Sequence, residues 1–175
     1  MKTILAMMAA LSLACVASAA DLTVNVGGKD STVQYRVVDR EISEKDRNTG
    51  SQGSAIDCSL LYYSLLAKDD IAGAARLSTD PAAASATWKA YRERVGAADF
   101  RNEMAAYFTS KNRVVAEFVF ADETMLLVKT PEYTAGQFYR KVNDKHYVVA
   151  GRPSSEASRV LGKVLNDYKD GKIKL

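Results

Sequence analysis

The sequence predicts an α+β domain in which helices pack on a curved antiparallel sheet, with an N-terminal β-hairpin and a C-terminal helix added. Three observations carry this expectation. Apolar residues alternate with polar ones from Leu22 to Val37, recur at helical spacing from Cys58 to Phe108, and alternate again from Val114 to Ala150 before a last amphipathic stretch.

Ahead of this pattern stands an export leader. Met1-Lys2-Thr3 is followed by an apolar run from Ile4 to Val16 and by Ala17-Ser18-Ala19-Ala20-Asp21. A single positive charge, a short hydrophobic core and an A-x-A site are the parts of a signal peptide, with cleavage expected after Ala19 or Ala20. The run has about 13 residues, short of the roughly 20 needed to span a bilayer. An alternative uses Cys15 as a lipid-bearing residue, but Ser12 stands where such a signal calls for Leu. The expected organisation is a cleaved segment 1–20 and one domain over 21–175, placed in the bacterial periplasm, with secretion or a lipid anchor through Cys15 as alternatives.

The charge balance of 24 basic and 21 acidic side chains is too even to imply nucleic acid. Without the leader Cys58 is the only cysteine, so the domain must hold itself together by its core. At this length that is feasible, because about two-thirds of the unfolded surface can be buried.

The elements follow in order. Leu22, Val24 and Val26, then Val33, Tyr35 and Val37, flank Gly27-Gly28-Lys29-Asp30-Ser31 and read as a hairpin. Glu41 to Gly53 offers little to bury and reads as a mobile loop. Ser54 and Asp57 resemble a capping box, and Cys58, Leu61, Tyr62 and Leu65 share one helical face. A short helix over Asp70–Leu77 is expected next. Asp80-Pro81 starts another, with Ala84, Trp88, Tyr91 and Val95 as its stripe and Gly96 as its end. A fourth helix carries Phe100 and Met104. Four strands are then expected, around Val114–Phe120, Thr124–Lys129, Gln137–Val142 and His146–Ala150, with a tight turn at Asn143-Asp144. Ser155 to Asp170 forms the last helix.

Within this order, Leu61-Tyr62-Tyr63-Ser64-Leu65-Leu66-Ala67-Lys68-Asp69-Asp70-Ile71 resembles the opening helix of NTF2-like, cystatin-type cone folds, and the strands from Arg113 to Ala150 resemble that family's meander. The resemblance covers residues 55–150 and implies a curved sheet closing on a cone-shaped pocket. The hairpin and the last helix depart from the family pattern. Function does not follow from it, because the family hosts enzymes, carriers and binding modules alike.

Candidate chemistry is sparse. His146 is the only histidine, and a nucleophilic mechanism would pair it with Cys58 near a helix start. Asp57 and Asp99 lie one step off apolar stripes and could act as carboxylates desolvated in a pocket. Glu117 lies mid-strand among hydrophobic residues. Tyr62, Trp88, Tyr91, Phe118 and Phe120 are the candidate ligand-lining aromatics, though such stripes more often build cores. One histidine and one cysteine do not make the usual zinc set, and Gly27-Gly28 lacks the pattern of a phosphate loop. No metal or cofactor is expected.

The favoured reading is an exported, non-enzymatic binding protein of the bacterial envelope, neutralising or assisting another protein. Two alternatives stand beside it. One is a carrier of an apolar small molecule in a cone-shaped pocket. The other is a pocket isomerase or hydrolase using Asp57, Asp99 or the Cys58/His146 pair. A bare sheet face favours the binder, a wide apolar cavity the carrier, and a Cys58–His146 contact or a desolvated carboxylate the enzyme.

Overall fold

The computed structural model describes residues 19–151 and 154–175. The expected leader through Ser18, with Cys15, lies outside the described residues. Of the two expected cleavage positions, Ala19 is exposed and Ala20 is the first residue of a strand.

Strands β1 (Ala20–Val26) and β2 (Lys29–Ile42) form the expected hairpin. Gly27 and Gly28 turn the chain in two residues with φ of 61° and 85°. Glycine takes that backbone without strain, and its twist matches the strands it joins. A strap over residues 43–54 leads to four helices: α1 (Ala55–Ala67), α2 (Ile71–Ala75), α3 (Pro81–Val95) and α4 (Ala97–Ala105). Then come β3 (Asn112–Phe120), β4 (Glu123–Lys129), β5 (Thr134–Val142) and β6 (Lys145–Val148), and finally α5 (Glu156–Lys169).

Ser54, Asp70, Asp80 and Ser155 cap helices by accepting from the backbone N–H three residues on. Pro81 occupies the first turn of α3, where its missing N–H costs nothing.

The six strands form one antiparallel sheet in chain order. The sheet is flat, which corrects the expected curvature and overturns the NTF2-like resemblance with its cone. The hairpin is no appendage either: β2 pairs with β3 from Gln34 to Ile42. The reason lies in what covers the sheet. On one face α1 packs on β4 and β6, burying Cys58 and Leu60 in a core with Val114, Leu126, Val128 and Tyr139. On the other face α5 crosses β1, β3, β4 and β5, and sets Val160, Leu161 and Val164 against Phe118, Met125 and Leu127. The domain therefore has three layers where the sequence suggested two. β4 is buried on both sides over Glu123–Val128. A sheet loaded on both faces cannot curl toward one layer without pulling away from the other.

The expected mobile loop is also corrected. β2 continues through Glu41 and Ile42, and the strap beyond it is tied down. Ser43 donates from both its backbone N and its Oγ to Asp46 Oδ2, at 2.8 and 3.0 Å. Asn48 N donates to Ser64 Oγ at 3.0 Å. Gln52 accepts from His146 N at 2.9 Å and donates through Nε2 to His146 O at 3.0 Å. Polar composition misled the sequence reading here, because the strap is held by hydrogen bonds rather than by buried apolar groups.

The first four helices overlie the β4–β6 half of the sheet. Beyond them, the same face of β1 and of the first part of β2 is bare, with Thr23, Thr32, Gln34 and Arg36 all exposed, while Val38 and Ile42 farther along β2 pack into the α1 core.

Candidate binding groove

Where α4 meets the β4–β5 hairpin, a groove of about 650 Å³ opens between helix layer and sheet. Its walls carry five aromatic rings: Tyr63 from α1, Trp88 and Tyr91 from α3, Tyr107 after α4, and Tyr133 from the hairpin. α3 and α4 hold their rings by edge contacts. Trp88, Tyr91 and Phe100 lie with ring centroids 6.1 to 6.2 Å apart, a geometry in which ring edges meet ring faces. Trp88 is fixed further by donating from Nε1 to Tyr62 Oη at 2.5 Å. Tyr63 stacks on Tyr107 at 3.9 Å and 13°. Tyr133 is 60% exposed, which leaves most of a large ring in water at the rim. Glu103, Lys111 and Glu132 complete the mouth, and Tyr91 donates its hydroxyl proton to Glu103.

The floor is a polar network set into the core. Tyr107 Oη lies 2.6 Å from Ser59 Oγ, and Ser59 donates to Gln137 Oε1 at 2.8 Å. With the single Ser59 proton given to Gln137, the Tyr107 hydroxyl donates to Ser59 Oγ or to Gln137 Oε1, which lies 3.3 Å from it. Tyr139 donates to the same Gln137 Oε1 at 3.0 Å. Gln137 Nε2 faces Tyr63 Oη at 3.4 Å. These residues meet because Ala135, Gln137 and Tyr139 alternate onto the α1 side of β5, where Gln137 sits opposite Leu126 in the sheet register. Burial pushes the Tyr107 hydroxyl up to about 12, and pushes those of Tyr63 and Tyr139 higher, so all three stay protonated. The floor is thus neutral: it can donate and accept hydrogen bonds, but none of its groups ionises near neutral pH.

The sequence candidates fall in several places. Of the five candidate ligand aromatics, Trp88 and Tyr91 line the groove. Tyr62 is buried behind Trp88 and borders a second, smaller cleft of about 290 Å³, which shares Trp88 and Gln137 with the groove. Phe118 and Phe120 lie on the other face of the sheet, in the α5 core. Cys58 is fully buried, and its thiol donates to the main-chain oxygen of His146 at 3.2 Å. Burial, helped by the charge of Asp57, pushes that thiol up to about 12. The His146 ring instead faces the backbone of the strap, with Nδ1 3.4 Å from Gln52 O. Cys58 and His146 thus meet through backbone and not through the imidazole. Asp57 accepts from Ser54 Oγ at 2.8 Å within the α1 cap, and Asp99 is exposed in the first turn of α4. Glu117 pairs with Arg36 at 2.6 Å.

Ser59, Gln137 and Tyr133 were not singled out by the sequence. Gln137 had a signal: it shares the inward period of β5 with Tyr139. Tyr133 had none, since its role depends on the hairpin it projects from.

A further buried polar centre lies under α5. Glu123 is completely buried and accepts from Arg140 Nη2 at 2.6 Å, Ser155 Oγ at 2.8 Å and Ser158 Oγ at 2.5 Å. Burial raises its carboxyl, but the hydrogen bonds from Ser158, Arg140 and Ser155 outweigh burial and leave it below the ordinary value.

Among the described residues, no group of three or more His, Cys, Asp or Glu side chains lies close enough to hold a metal ion. Among them, too, no helix is long and apolar enough to cross a membrane.

Fold and groove together define a three-layer α+β domain with an open aromatic cleft. Set against known protein families, curated proteins and solved structures, the chain matches none.

Proposed function

We propose that this chain is an exported, non-enzymatic binding protein of the bacterial envelope that takes part of another protein into its aromatic groove. One observation carries the reading: five aromatic rings converge on one open groove whose buried floor is neutral. Rigid tyrosine and tryptophan rings supply large contact areas at low entropic cost, and they dominate the centres of protein interfaces. The mouth residues Glu103, Lys111 and Glu132 suit a polar partner surface better than an apolar cargo. The pocket-enzyme reading draws less support, because Asp57 serves a helix cap, Asp99 faces water, and Cys58, buried in the core, meets His146 through its backbone and not its ring. The leader pattern supports export.

Trp88 is the only tryptophan in the chain and lines the groove, so its emission reports on occupancy. Envelope proteins fractionated by chromatography are added to the purified chain. A fraction that shifts Trp88 emission is expected, and the double variant Tyr133→Ser, Glu132→Lys weakens its binding at least about tenfold. The proposal fails if every fraction leaves the emission unchanged, or if the double variant responds as the wild type does.

A further inference from the structure

The two edges of the sheet differ, and the difference points to a partner. In β6, whose turn at Asn143 and Asp144 makes Val142 and Lys145 the closing hydrogen-bonded pair, His146 and Val148 direct their backbone groups outward. Both are occupied. His146 N donates to Gln52 O at 2.9 Å, Val148 N donates to Leu77 O at 2.8 Å, and Thr79 N donates to Val148 O at 2.8 Å. The β6 edge is therefore sealed by the strap and by the turn after α2.

The same parity applies to β1. Its two-residue turn makes Val26 and Lys29 the closing pair, so Asp21, Thr23 and Asn25 direct their N–H and C=O groups outward. Among the described residues, no backbone hydrogen bond reaches these three positions from outside the β1–β2 ladder. All three are exposed, and the strand contains no proline. Natural sheets usually blunt such an edge, and among the described residues only the β6 edge is blunted.

We propose that the β1 edge pairs with the β1 edge of a second copy of this chain, antiparallel about a two-fold axis at Thr23. The side chains select this occupant, because the strand is complementary to itself. With Thr23 opposite Thr23, Asp21 of each copy lies opposite Asn25 of the other; Asn25 Nδ2 donates one proton to Asp30 of its own hairpin at 2.6 Å and has its second for the facing carboxylate. Leu22 lies opposite Val24, and Ala20 opposite Val26. No like charges face each other, and threonine pairs and β-branched pairs are favourable across strands. In this register all three outward-facing residues of each copy meet outward-facing residues, so every free edge group is used. The contact is isologous, as a two-fold dimer requires. It lies on the opposite edge of the sheet from β6 and is independent of the groove.

Sedimentation equilibrium and amide hydrogen exchange test this on the chain purified from its host. A weak dimer is expected, with a Kd on the order of 10 µM, as suits a small polar interface. At high concentration the amides of Thr23 and Asn25, and that of Asp21 in chains that begin at Ala20, slow their exchange, while those of Leu22 and Val24 keep their rates. Thr23→Pro removes one outward donor and spares the β1–β2 ladder, and it weakens the dimer at least about tenfold. Thr23→Lys places two cations face to face on an exposed position and weakens it similarly, most strongly at low salt. The second variant keeps the test valid if the proline disturbs the hairpin. A monomer at all concentrations overturns the proposal, as does a dimer that both variants leave intact. So does protection that appears at residues other than these three.

Discussion

Gly50 lies where the strap crosses α1, and a Cβ there would fall on the carbonyl oxygen of Asp57 and the backbone nitrogen of Leu61. Backbone atoms inside a helix have nowhere to go, so Gly50→Ala must lift the strap. We expect a loss of about 2–3 kcal/mol, seen as a fall in melting temperature on the order of 8 °C. An unchanged Tm would mean that the strap is loosely held. Composition hid this role, since Gly50 sits in a run of Asn, Thr, Ser and Gln that looks solvated. Glu123 was hidden for a related reason. Following Asp122 after a strand, it reads as part of a turn, but Ala121 and Asp122 make the turn and Glu123 opens β4. Its burial depends on Ser155 and Ser158, over thirty residues away, and no local pattern encodes that. The stripe of Cys58, Leu61, Tyr62 and Leu65 was legible in part: the structure buries Cys58 and Tyr62, but Leu60 and Leu66 take the deep positions and leave Leu61 and Leu65 half-buried.

At the scale of elements, the alternation and capping signals placed the hairpin, the helices and the four later strands in the right order. Start signals were the most reliable. Asp80 accepts from Ala83 N at 3.0 Å and Pro81 follows, as their order suggested. Asp80→Ala is therefore expected to cost about 1 kcal/mol and to lower Tm by roughly 3 °C. Because the cap lies outside the groove, the Trp88 response to a bound partner stays as it is. Sheet shape was not legible. Period-two alternation tells which residues share a face, but not what the far face packs on. The one clue was Thr124-Met125-Leu126-Leu127-Val128, a nearly continuous apolar run of the kind found in strands covered on both sides. Read that way, it would have placed α5 opposite α1 and excluded a cone.

For the molecule as a whole, acid should be the sharpest stress. The carboxyls of Asp69 and Asp46 are held below their ordinary values, as Glu123 is. Arg92 hydrogen-bonds Asp69, while at Asp46 burial is outweighed by the bonds from Ser43 and Arg40. A depressed carboxyl binds fewer protons folded than unfolded, so its contribution is complete above the unfolded pKa and fades as pH falls through the folded one. Stability should be level above about pH 5 and drop steeply below about pH 4. Glu123→Gln should cost about 2–3 kcal/mol at neutral pH, less than a fully buried pair because Arg140 still reaches water. It should also flatten the acid slope, measured by urea unfolding across the pH range. A slope equal to that of the wild type would show that α5 is not held by this carboxylate.

The sealed β6 edge limits growth as well. Strands with two open edges can add neighbour after neighbour without end, which is how sheets run on into fibrils. Here Gln52, Leu77 and Thr79 already occupy the positions where a further strand would bond, so joining through β1 stops at two. A change that frees those positions, such as loosening the turn at Leu77–Thr79, would remove the stop and turn a self-limiting pair into an open-ended polymer.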